Sequence, residues 1–560
     1  MHKYLPYLAM TGLLVAACSP NKPTQPIEPD TGSAAVMVDQ YSFNENFSSY
    51  LETLSSDEFE GRAPASEGER KTVEFVEGKF REWGLKPYDA EQGNYQQQVP
   101  LVRIMPTQVS SMTFDSDDLG EFEYRSQMYA WTPRVQDSVS LENSELVFVG
   151  FGIVAPEYGW NDYEGLDVEG KTVVILVNDP GYDTRDPEVF NGYAMTYYGR
   201  WTYKFEEAAR QGAAGALVIH DTGPAGYGWG VVAGGSPMRF DLARENKNMD
   251  RAQIEGWLTK ESADQLFARL GASYAEMREA ALAPDFKPVP LNTSMSIQVN
   301  NKFDYLNSPN LIGYIEGKSK PEEHVIYMAH WDHLGVDPVN PDDGIFNGAQ
   351  DNASGTAGVM ALAEFFVSQP QPERTIVFAL VTAEERGLLG SDWYADNPML
   401  PLSKAVGGIN MDVLNVYGPM RDVVVVGRGN SELEDYLEKY AVLQDRYLAA
   451  EPNPEVGSFY RSDHFNLAKR GVPMLYAKGG NDHIELGRAY GEEMRAIYTR
   501  DAYHKPADEF DPNWDLRGIQ QDLWLFYSIG HELANSDAWP NWHAGNEFRA
   551  IRDASASERQ

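Results

Sequence analysis

The stretch Val325-Ile-Tyr-Met-Ala-His-Trp-Asp332 places an unbroken apolar run directly before a histidine and an aspartate. Short continuous apolar runs are typical of strands buried on both faces of a sheet. Similar runs recur at Thr375–Val381, Ala405–Met411 and Val472–Tyr476, and helical patterns alternate with them at Thr356–Phe366, Ser431–Val442 and Gln520–Leu533. This alternation predicts an α/β fold with a mainly parallel, doubly wound sheet flanked by helices.

Polar residues follow three of these predicted strands. His330 follows the first, Glu384 and Glu385 follow the second, and Asp412 follows the third. In doubly wound sheets, functional sites form beyond the carboxyl ends of the strands. We therefore expect these side chains to meet at one edge of the sheet.

The residue types at this edge suit a two-metal site. Imidazole and carboxylate are ligand types suited to Zn²⁺. Two metals about 3.5–4 Å apart need a carboxylate that both share, and Asp351, in a loop just before a predicted helix, is the natural bridge. His330 with Asp412 could hold one ion, and Glu385 with His504, from a distant loop, the other.

Two neighbouring carboxylates are predicted to act without binding metal. Asp332, two residues after His330, is placed to accept the second N–H of the imidazole ring, as orienting carboxylates commonly do. The side chain of Glu384 points away from that of its neighbour Glu385, so it can serve as a general base. It would take a proton from a metal-bridging water and deliver it to the leaving amine.

Three further histidines are candidate ligands by residue type alone: His333, His464 and His483. A lone histidine near a strand end is more often a hydrogen-bonded structural residue than a ligand. The five residues above already supply enough ligands for two ions. We therefore expect core or surface roles for these three.

The length and net charge of the chain exclude some folds and some classes of function. A chain of 560 residues is expected to form two or more folding units. The 46 basic and 84 acidic residues give a net charge of −38, which argues against nucleic-acid binding because that needs a basic surface. The same charge disfavours electrostatic docking on anionic lipid.

The first residues have the pattern of an export signal. Lys3 is followed by the apolar stretch Tyr4–Ala17, which is too short to span a membrane as a helix. Small residues lead into Cys18, so residues 1–18 resemble the signal peptide of a bacterial lipoprotein. By that resemblance Cys18 is lipidated, the protein is exported and membrane-anchored, and Ser19 favours the outer membrane. The alternative is an ordinary cleaved signal with an incidental cysteine.

The remaining chain divides into regions of different composition. Residues 128–290 contain several buried-strand runs, and the segment Lys204–Ala216 resembles the protease-associated domain, a small β-rich module inserted into several peptidase families. As the only cysteine is Cys18, no disulfide is expected in the mature domains. The predicted layout is a flexible tether at 19–38, an N-terminal part of the catalytic domain at 39–127, the insert at 128–290, the catalytic domain at 291–553 and a disordered tail at 554–560.

Six motifs, in order, resemble those of the co-catalytic two-zinc aminopeptidases, the relatives of glutamate carboxypeptidase II and transferrin receptor. That resemblance implies the zinc-exopeptidase type of α/β fold, and the inserted domain lies where one subgroup of the family carries it. The motifs are Ala329-His-Trp-Asp332, Gln350-Asp-Asn-Ala-Ser-Gly355, Ala383-Glu-Glu-Arg-Gly-Leu-Leu-Gly-Ser391, Asn410-Met-Asp412, Arg461-Ser-Asp-His464 and Tyr503-His504.

The resemblance also implies residue roles. Glu384 would be the general base, Arg461 a substrate-orienting arginine, and Tyr503 a hydrogen-bond donor to the tetrahedral oxyanion. Gln350 departs from the acidic residue that many members have before the bridging aspartate. The implied cofactors are two Zn²⁺ ions, held by His330, Asp351, Glu385, Asp412 and His504.

The function that the resemblance implies is a zinc aminopeptidase that acts on peptides by attack of a metal-bridging hydroxide. Three alternatives stay open. The first is a metallo-carboxypeptidase or dipeptidase with the same chemistry at a different peptide end. The second is a non-catalytic surface receptor, which the complete ligand set disfavours, and the third is a glutaminyl-cyclase-like transferase with one metal. Side-chain preference, physiological substrate and oligomeric state do not follow from the sequence.

Overall fold

A computed structural model describes residues 43–340 and 343–559. The predicted signal peptide, Cys18 and the tether lie outside the described residues. Within the described ranges, no helix is both long enough and apolar enough to cross a membrane.

The C-terminal half is built on a sheet whose centre is parallel. Lys320–His330 lies in the middle and pairs in parallel with Arg374–Val381 on one side and Ala405–Asn410 on the other. Met474–Gly479 continues the sheet in parallel, and Asp422–Val425 then pairs antiparallel to it. The outermost strands are Tyr447–Ala450 at one side and Val289–Ile315, with Gln96–Val109 and Lys86–Pro87, at the other.

The central strand explains why helices cover both faces. Alternate side chains of a strand point to opposite faces. Val325, Tyr327 and Ala329 face one apolar core, and Ile326 and Met328 face another. The main helices of the catalytic domain, two of them from the N-terminal part of the chain, are Phe47–Leu54, Glu67–Trp83, Ser354–Val367, Leu389–Asp396, Leu433–Leu443, His464–Ala468, Arg488–Ile497 and Arg517–Ala534.

The predicted α/β fold is confirmed, with a mixed sheet in place of a mainly parallel one. The four central strands are those found as apolar runs in the sequence. The antiparallel flank on one side comes from Val289–Ile315, a strand of 27 residues that begins in the inserted region and ends in the catalytic sheet. Its exposed alternate residues give no continuous apolar run, so its reach was not evident from the sequence.

The inserted region has its own β-rich core. Its parallel centre is formed by Ser138–Phe148, Thr172–Leu176, Gly215–His220 and Ile254–Thr259. Met128–Trp131 and the first half of Val289–Ile315 close the sheet antiparallel. The helices of this region are Pro180–Thr184, Trp201–Arg210, Thr222–Ala225, Trp229–Gly234, Lys260–Ala268 and Tyr274–Ala280.

The C-terminal tail departs from the predicted disorder up to Arg559. A short helix at Arg549–Ala554 is followed by a turn of 3₁₀ helix at Ala556–Arg559. The buried Arg552 donates hydrogen bonds to the carbonyl oxygens of Ala405 and Val406 at 2.8 and 3.1 Å. Arg559 in turn donates to the carbonyl oxygen of Arg552 at 2.8 Å, so a contact that polar composition does not reveal ties the predicted tail to this anchored helix.

Candidate metal centre

Parallel pairing brings the predicted site residues to one edge. The strand Lys320–His330 ends at His330, in register with Val381 of the neighbouring strand. Three residues later a 3₁₀ turn, Glu384–Arg386, presents both glutamates. Left-handed backbone at Ala383, with φ of 55°, turns the chain sharply between the strand and these residues.

His330, Asp351 and Asp412 form the first cluster. His330 Nε2 lies 3.5 Å from Asp351 Oδ1 and 3.6 Å from Asp412 Oδ1. Glu384 Oε2 is slightly further away, at 4.0 Å from the same nitrogen. All three members of the cluster are buried, and their ligand atoms lie within 4.8 Å of one another, so they could hold a metal ion.

Asp351 also contributes to a second cluster on its other oxygen. His504 Nε2 lies 3.2 Å from Asp351 Oδ2 and 3.3 Å from Glu385 Oε2. Asp351 therefore stands between His330 on one side and His504 on the other. The structure brings all five predicted ligands together around this one carboxylate.

His333, for which the sequence predicts a core or surface role, is a member of the second cluster. Its Nδ1 lies 2.6 Å from Glu385 Oε1, a hydrogen-bond distance. His333, Asp351 and Glu385 have ligand atoms within 4.8 Å of one another and could hold an ion. His333 lies three residues after His330, just beyond the end of the strand, and this spacing is the sequence feature that indicates a position near the centre. The sequence nevertheless predicts a core or surface role for His333, because five other residues already supply ligands for two ions.

The contacts of Asp332 differ in detail from the prediction. His330 Nδ1 lies 3.1 Å from the backbone oxygen of Asp332 and 3.7 Å from its carboxylate, so the carbonyl makes the closer contact with the ring. The carboxylate instead accepts the backbone N–H of Glu384 at 3.0 Å. Asp332 thus links the strand end that carries His330 to the turn that carries Glu384.

Two further residues fix the metal-centre carboxylates in place. Asp508 accepts the backbone N–H groups of Gln350 and Asp351 at 2.9 and 3.0 Å. Ser462 donates to Asp412 Oδ2 at 2.6 Å. The side chain of Gln350 donates to the carbonyl oxygen of Leu414 at 2.9 Å and accepts from the hydroxyl of Tyr417 at 2.8 Å, so both ends of its amide have partners.

The electrostatics of the centre are dominated by crowded carboxylates. Burial opposes the charged form of His330, but Glu384, Asp351 and Asp412 outweigh it and hold its pKa well above its ordinary value. Burial and the negative charge of Glu385 raise the pKa of Glu384 well above that of a free glutamate. Buried like charges are costly unless cations compensate them. The donor set of imidazoles and carboxylates therefore fits divalent metal ions.

Tyr503 and Arg461 lie on the wall of a cavity of about 770 Å³ that reaches the metal centre. The ring of Tyr503 stacks on that of His504, with centroids 3.9 Å apart. Burial and the charge of Asp351 raise the pKa of the Tyr503 hydroxyl, which keeps it protonated and able to donate. The guanidinium of Arg461 is exposed within the cavity.

The fold and these clusters define an α/β domain with a candidate two-metal centre at the carboxyl edge of its sheet. Residues 310–527 match peptidase family M28. This matched stretch, which is less than half of the chain, includes all five predicted ligands and Glu384.

Several characterised proteins are similar to parts of the chain. Aminopeptidase NAALADL1 of Rattus norvegicus is 31% identical over 147 residues, which cover 24% of this chain and 18% of the relative. Leucine aminopeptidase 2 of Arthroderma otae is 27% identical over 240 residues, covering 39% and 43% of the two chains. The match thus spans less than half the length of these relatives.

Solved structures resemble the chain over a longer range at lower identity. An aminopeptidase from Aneurinibacillus sp. strain AM-1 is 19% identical to this chain, with a TM-score of 0.48. The structural match covers 90% of this chain and 97% of the aminopeptidase chain. A zinc aminopeptidase from Bacillus subtilis is 16% identical, with coverages of 88% and 96% and a TM-score of 0.42.

Proposed function

We propose that this protein is an aminopeptidase that uses two zinc ions to release N-terminal residues from peptides. The observation that carries the proposal is the placement of Asp351 between two histidine–carboxylate clusters inside the stretch that matches peptidase family M28. His330 and Asp412 would hold one ion, and Glu385 and His504 the other. His333 would orient Glu385 through its hydrogen bond.

The surrounding side chains suit peptide hydrolysis. Bound zinc would supply Lewis-acid polarisation of the scissile carbonyl. Glu384 projects towards His330 without a hydrogen bond of its own to that ring, so its carboxylate can take up a proton and pass it to the leaving amine.

Tyr503 and Arg461 would act on the substrate. The protonated hydroxyl of Tyr503 can donate a hydrogen bond to the carbonyl oxygen as negative charge develops on it. Arg461 can orient the peptide from the cavity wall. The cavity volume, about 770 Å³, is in the range that suits small ligands such as short peptides.

The peptide end that is cleaved can be tested directly. The chain without residues 1–18 should hydrolyse aminoacyl anilides, and it should not cleave the same anilides after N-acetylation. Chelation should abolish the activity, and added zinc should restore it. Cleavage of N-acetylated peptides with a free C-terminus, in place of the anilides, would assign the site to a carboxypeptidase.

We also propose that the protein is an exported lipoprotein held in the outer membrane through Cys18. The support is the sequence pattern of residues 1–18 alone. Labelling with radioactive palmitate should mark the wild-type protein and leave Cys18→Ala unlabelled. Equal labelling of both proteins would remove Cys18 as the anchor, and no labelling of either would indicate an ordinary cleaved signal.

The inserted region, residues 128–290, would be a protease-associated domain that shapes access to the centre. Its residues Trp131, Arg200 and Arg239 line the same cavity as the metal-centre carboxylates. A substrate in that cavity would therefore contact both regions.

A further inference from the structure

Arg62, in the N-terminal part of the catalytic domain, is a buried arginine outside the site described above. It is 1% exposed, and it does not line the cavity. All four of its side-chain hydrogen bonds go to backbone carbonyl oxygens. Within residues 43–340 and 343–559 it forms no ion pair. Burying a positive charge is costly unless other groups compensate it, so these carbonyl oxygens are what stabilises the guanidinium at close range.

The four carbonyl oxygens that this guanidinium contacts belong to three separate parts of the chain. Its Nε donates to Trp331 at 2.9 Å, and its Nη2 donates to Gly348 at 2.9 Å. Its Nη1 donates to both Asn347 and Leu54, each at 2.6 Å. Leu54 is the last residue of the helix Phe47–Leu54, and the carboxyl end of a helix attracts positive charge. The guanidinium thus joins that helix to the end of the central strand and to one loop.

The strand end and the loop both lead to ligands of the metal centre. Trp331 directly follows His330, and Gly348 lies three residues before Asp351. His330 Nε2 and Asp351 Oδ1 are 3.5 Å apart. The N–H donors of a guanidinium are fixed in one plane. Arg62 therefore sets how far apart these two backbone segments lie, and with them the two ligands.

The backbone around Arg62 contacts the same region. Its carbonyl oxygen accepts the backbone N–H of His333 at 3.4 Å. Glu60, Gly61 and Arg62 all have left-handed backbone, with φ of 48°, 60° and 50°. Such backbone is strained in residues other than glycine and persists only where the surrounding structure holds it. A Cβ at Gly61 would lie 2.6 Å from the carbonyl oxygen of Gly335, so this segment fits tightly against the β-hairpin that begins there.

Arg62 also lies in the electric field of the metal centre. Burial lowers its pKa to about 10, and the charges of Asp508, Asp332, Asp351 and Glu385 oppose this change. The group is therefore still charged at neutral pH. None of these four carboxylates is within ion-pair distance, so they stabilise the guanidinium from further away. The centre and Arg62 thus stabilise each other.

We propose that Arg62 is a positioning residue, which holds the strand end that carries His330 against the loop that leads to Asp351. This inference rests on the proposed two-zinc function and adds to it a residue from the part of the chain before the insert. With both segments held, the ligands would be in place before an ion binds. Groups that orient metal ligands commonly contribute about 10–100-fold to metal affinity or activity.

Arg62→Lys tests this role, because lysine keeps the positive charge and loses the planar set of donors. We expect zinc affinity to fall by about 10–100-fold, measured by competition with a chelator of known affinity. At saturating zinc, kcat should fall while KM stays unchanged, because Arg62 does not line the cavity. Arg62→Gln, which places no charge in the interior, is the second variant if Arg62→Lys does not fold.

Arg552→Lys is the matched control. Arg552 is 2% exposed, and its guanidinium also donates to three backbone carbonyl oxygens. One of them belongs to Ala405, which begins a strand whose opposite end leads to Asp412, so Arg552 lies at the other edge of the sheet. Its replacement should lower stability about as much as that of Arg62 and leave zinc affinity unchanged.

Hydrogen exchange of the metal-free proteins gives a readout that does not depend on zinc. In Arg62→Lys the backbone amides of residues 331–333 and 347–351 should exchange about tenfold faster than in the wild type, the effect of one lost hydrogen bond to a charged group. In Arg552→Lys the same amides should exchange at the wild-type rate. Mass spectrometry of peptic peptides from both regions measures this.

Two results would overturn the proposal: unchanged zinc affinity in the Arg62 variant, or an equal loss of zinc affinity in the Arg552 variant. The second result would show a general effect of destabilisation. A wild-type protein that binds no zinc would contradict the proposed function instead. Hydrogen exchange then decides, since faster exchange at both segments in Arg62→Lys alone supports the positioning role and equal exchange refutes it.

Discussion

Two buried clusters of charge in this molecule differ in how completely they are neutralised. In the insert, Lys204 is buried near Asp162 and Asp179, and all four carboxylate oxygens accept hydrogen bonds, from Ile153, Trp160, Gly181 and Thr196. In the metal centre, the carboxylates of Asp351, Glu384, Glu385 and Asp412 face two or three imidazoles. Asp332 Oδ2 has no hydrogen-bond partner among the described residues.

The difference separates a structural cluster from a binding site. The insert cluster contains its own basic group, Lys204, and hydrogen-bond donors for both of its carboxylates, although Lys204 Nζ itself has no hydrogen-bond partner among the described residues. The metal centre has more negative charge than its histidines can balance. Its ligand atoms form two groups, one in His330, Asp351 and Asp412 and one in His333, Asp351 and Glu385, and the atoms of each group lie within 4.8 Å of one another. Divalent ions would supply the missing positive charge.

Removal of metal should have the largest effect, and it should affect only one of the two clusters. A chelator should abolish peptidase activity and lower the melting temperature, because ions that bind only the folded state stabilise it. The insert cluster should be unaffected, since its cation is a side chain. The measurement is activity and thermal unfolding with chelator, then with zinc restored. An unchanged melting temperature together with full activity in chelator would contradict a metal centre.

Glu384→Gln should separate metal binding from catalysis. The amide cannot accept the proton, so we expect kcat to fall by about 10²–10⁴-fold. Zinc content should stay at the wild-type level, because Glu384 is not among the proposed ligands. Asp392→Asn, on the cavity wall, is the matched control for removal of one negative charge. Retention of the full rate in Glu384→Gln would remove it as the base.

Lys204→Met should leave the buried carboxylates of Asp162 and Asp179 without a nearby basic group. Loss of one partner of a buried charge cluster costs about 3–5 kcal/mol of unfolding free energy. Burial raises the pKa of Asp162 and Asp179 to about 7, well above the unfolded value near 3.8. A carboxyl group whose pKa is higher in the folded state stabilises the fold fully at pH values below its unfolded pKa. This contribution is lost as the pH rises through the folded pKa.

The pH dependence of that variant gives a sharper test. Without Lys204 the two aspartates should retain protons to higher pH, so Lys204→Met should be destabilised more at pH 8.5 than at pH 5.5. Chemical denaturation of wild type and variant at both pH values measures this. Equal destabilisation at both values would show that the aspartates do not titrate with folding.

Asp332→Asn should have the smallest effect of the four. The carbonyl that contacts His330 is retained, and only the carboxylate that accepts the Glu384 N–H changes. Changes next to metal ligands commonly cost 10–100-fold in metal affinity or activity, and we expect the lower end, about tenfold. Competition titration for zinc and kcat/KM measure it. A loss as large as that of Glu384→Gln would give Asp332 a direct role.

The sequence was most informative where local pattern decides structure. The run Val325–Ala329 and its three counterparts were found as strands because buried parallel strands are apolar throughout. His330, Glu384, Glu385 and Asp412 followed from their positions at strand ends. Asp351 as the bridge and His504 as a ligand followed from residue type and loop position, and the family resemblance implied the same two roles.

Features created by tertiary contacts were not predictable in this way. His333 joins the centre only because the loop after the strand turns back towards Glu385. Arg200 and Gly457 are far apart in the chain, and only the packing of residues 128–290 on the catalytic domain places the Arg200 side chain over Gly457. The turn at Ala556–Arg559 likewise depends on such contacts: Arg559 donates to the carbonyl oxygen of Arg552, and Arg552 donates to two backbone carbonyls of a distant strand.

The central claim is that Asp351 is shared by two metal ions. Its most direct test is the zinc content of the folded chain without residues 1–18, measured by mass spectrometry of the metal after dialysis. The account predicts two zinc ions per chain in the wild type and at most one in Asp351→Asn. One ion or none in the wild type, or two ions retained in Asp351→Asn, would contradict it.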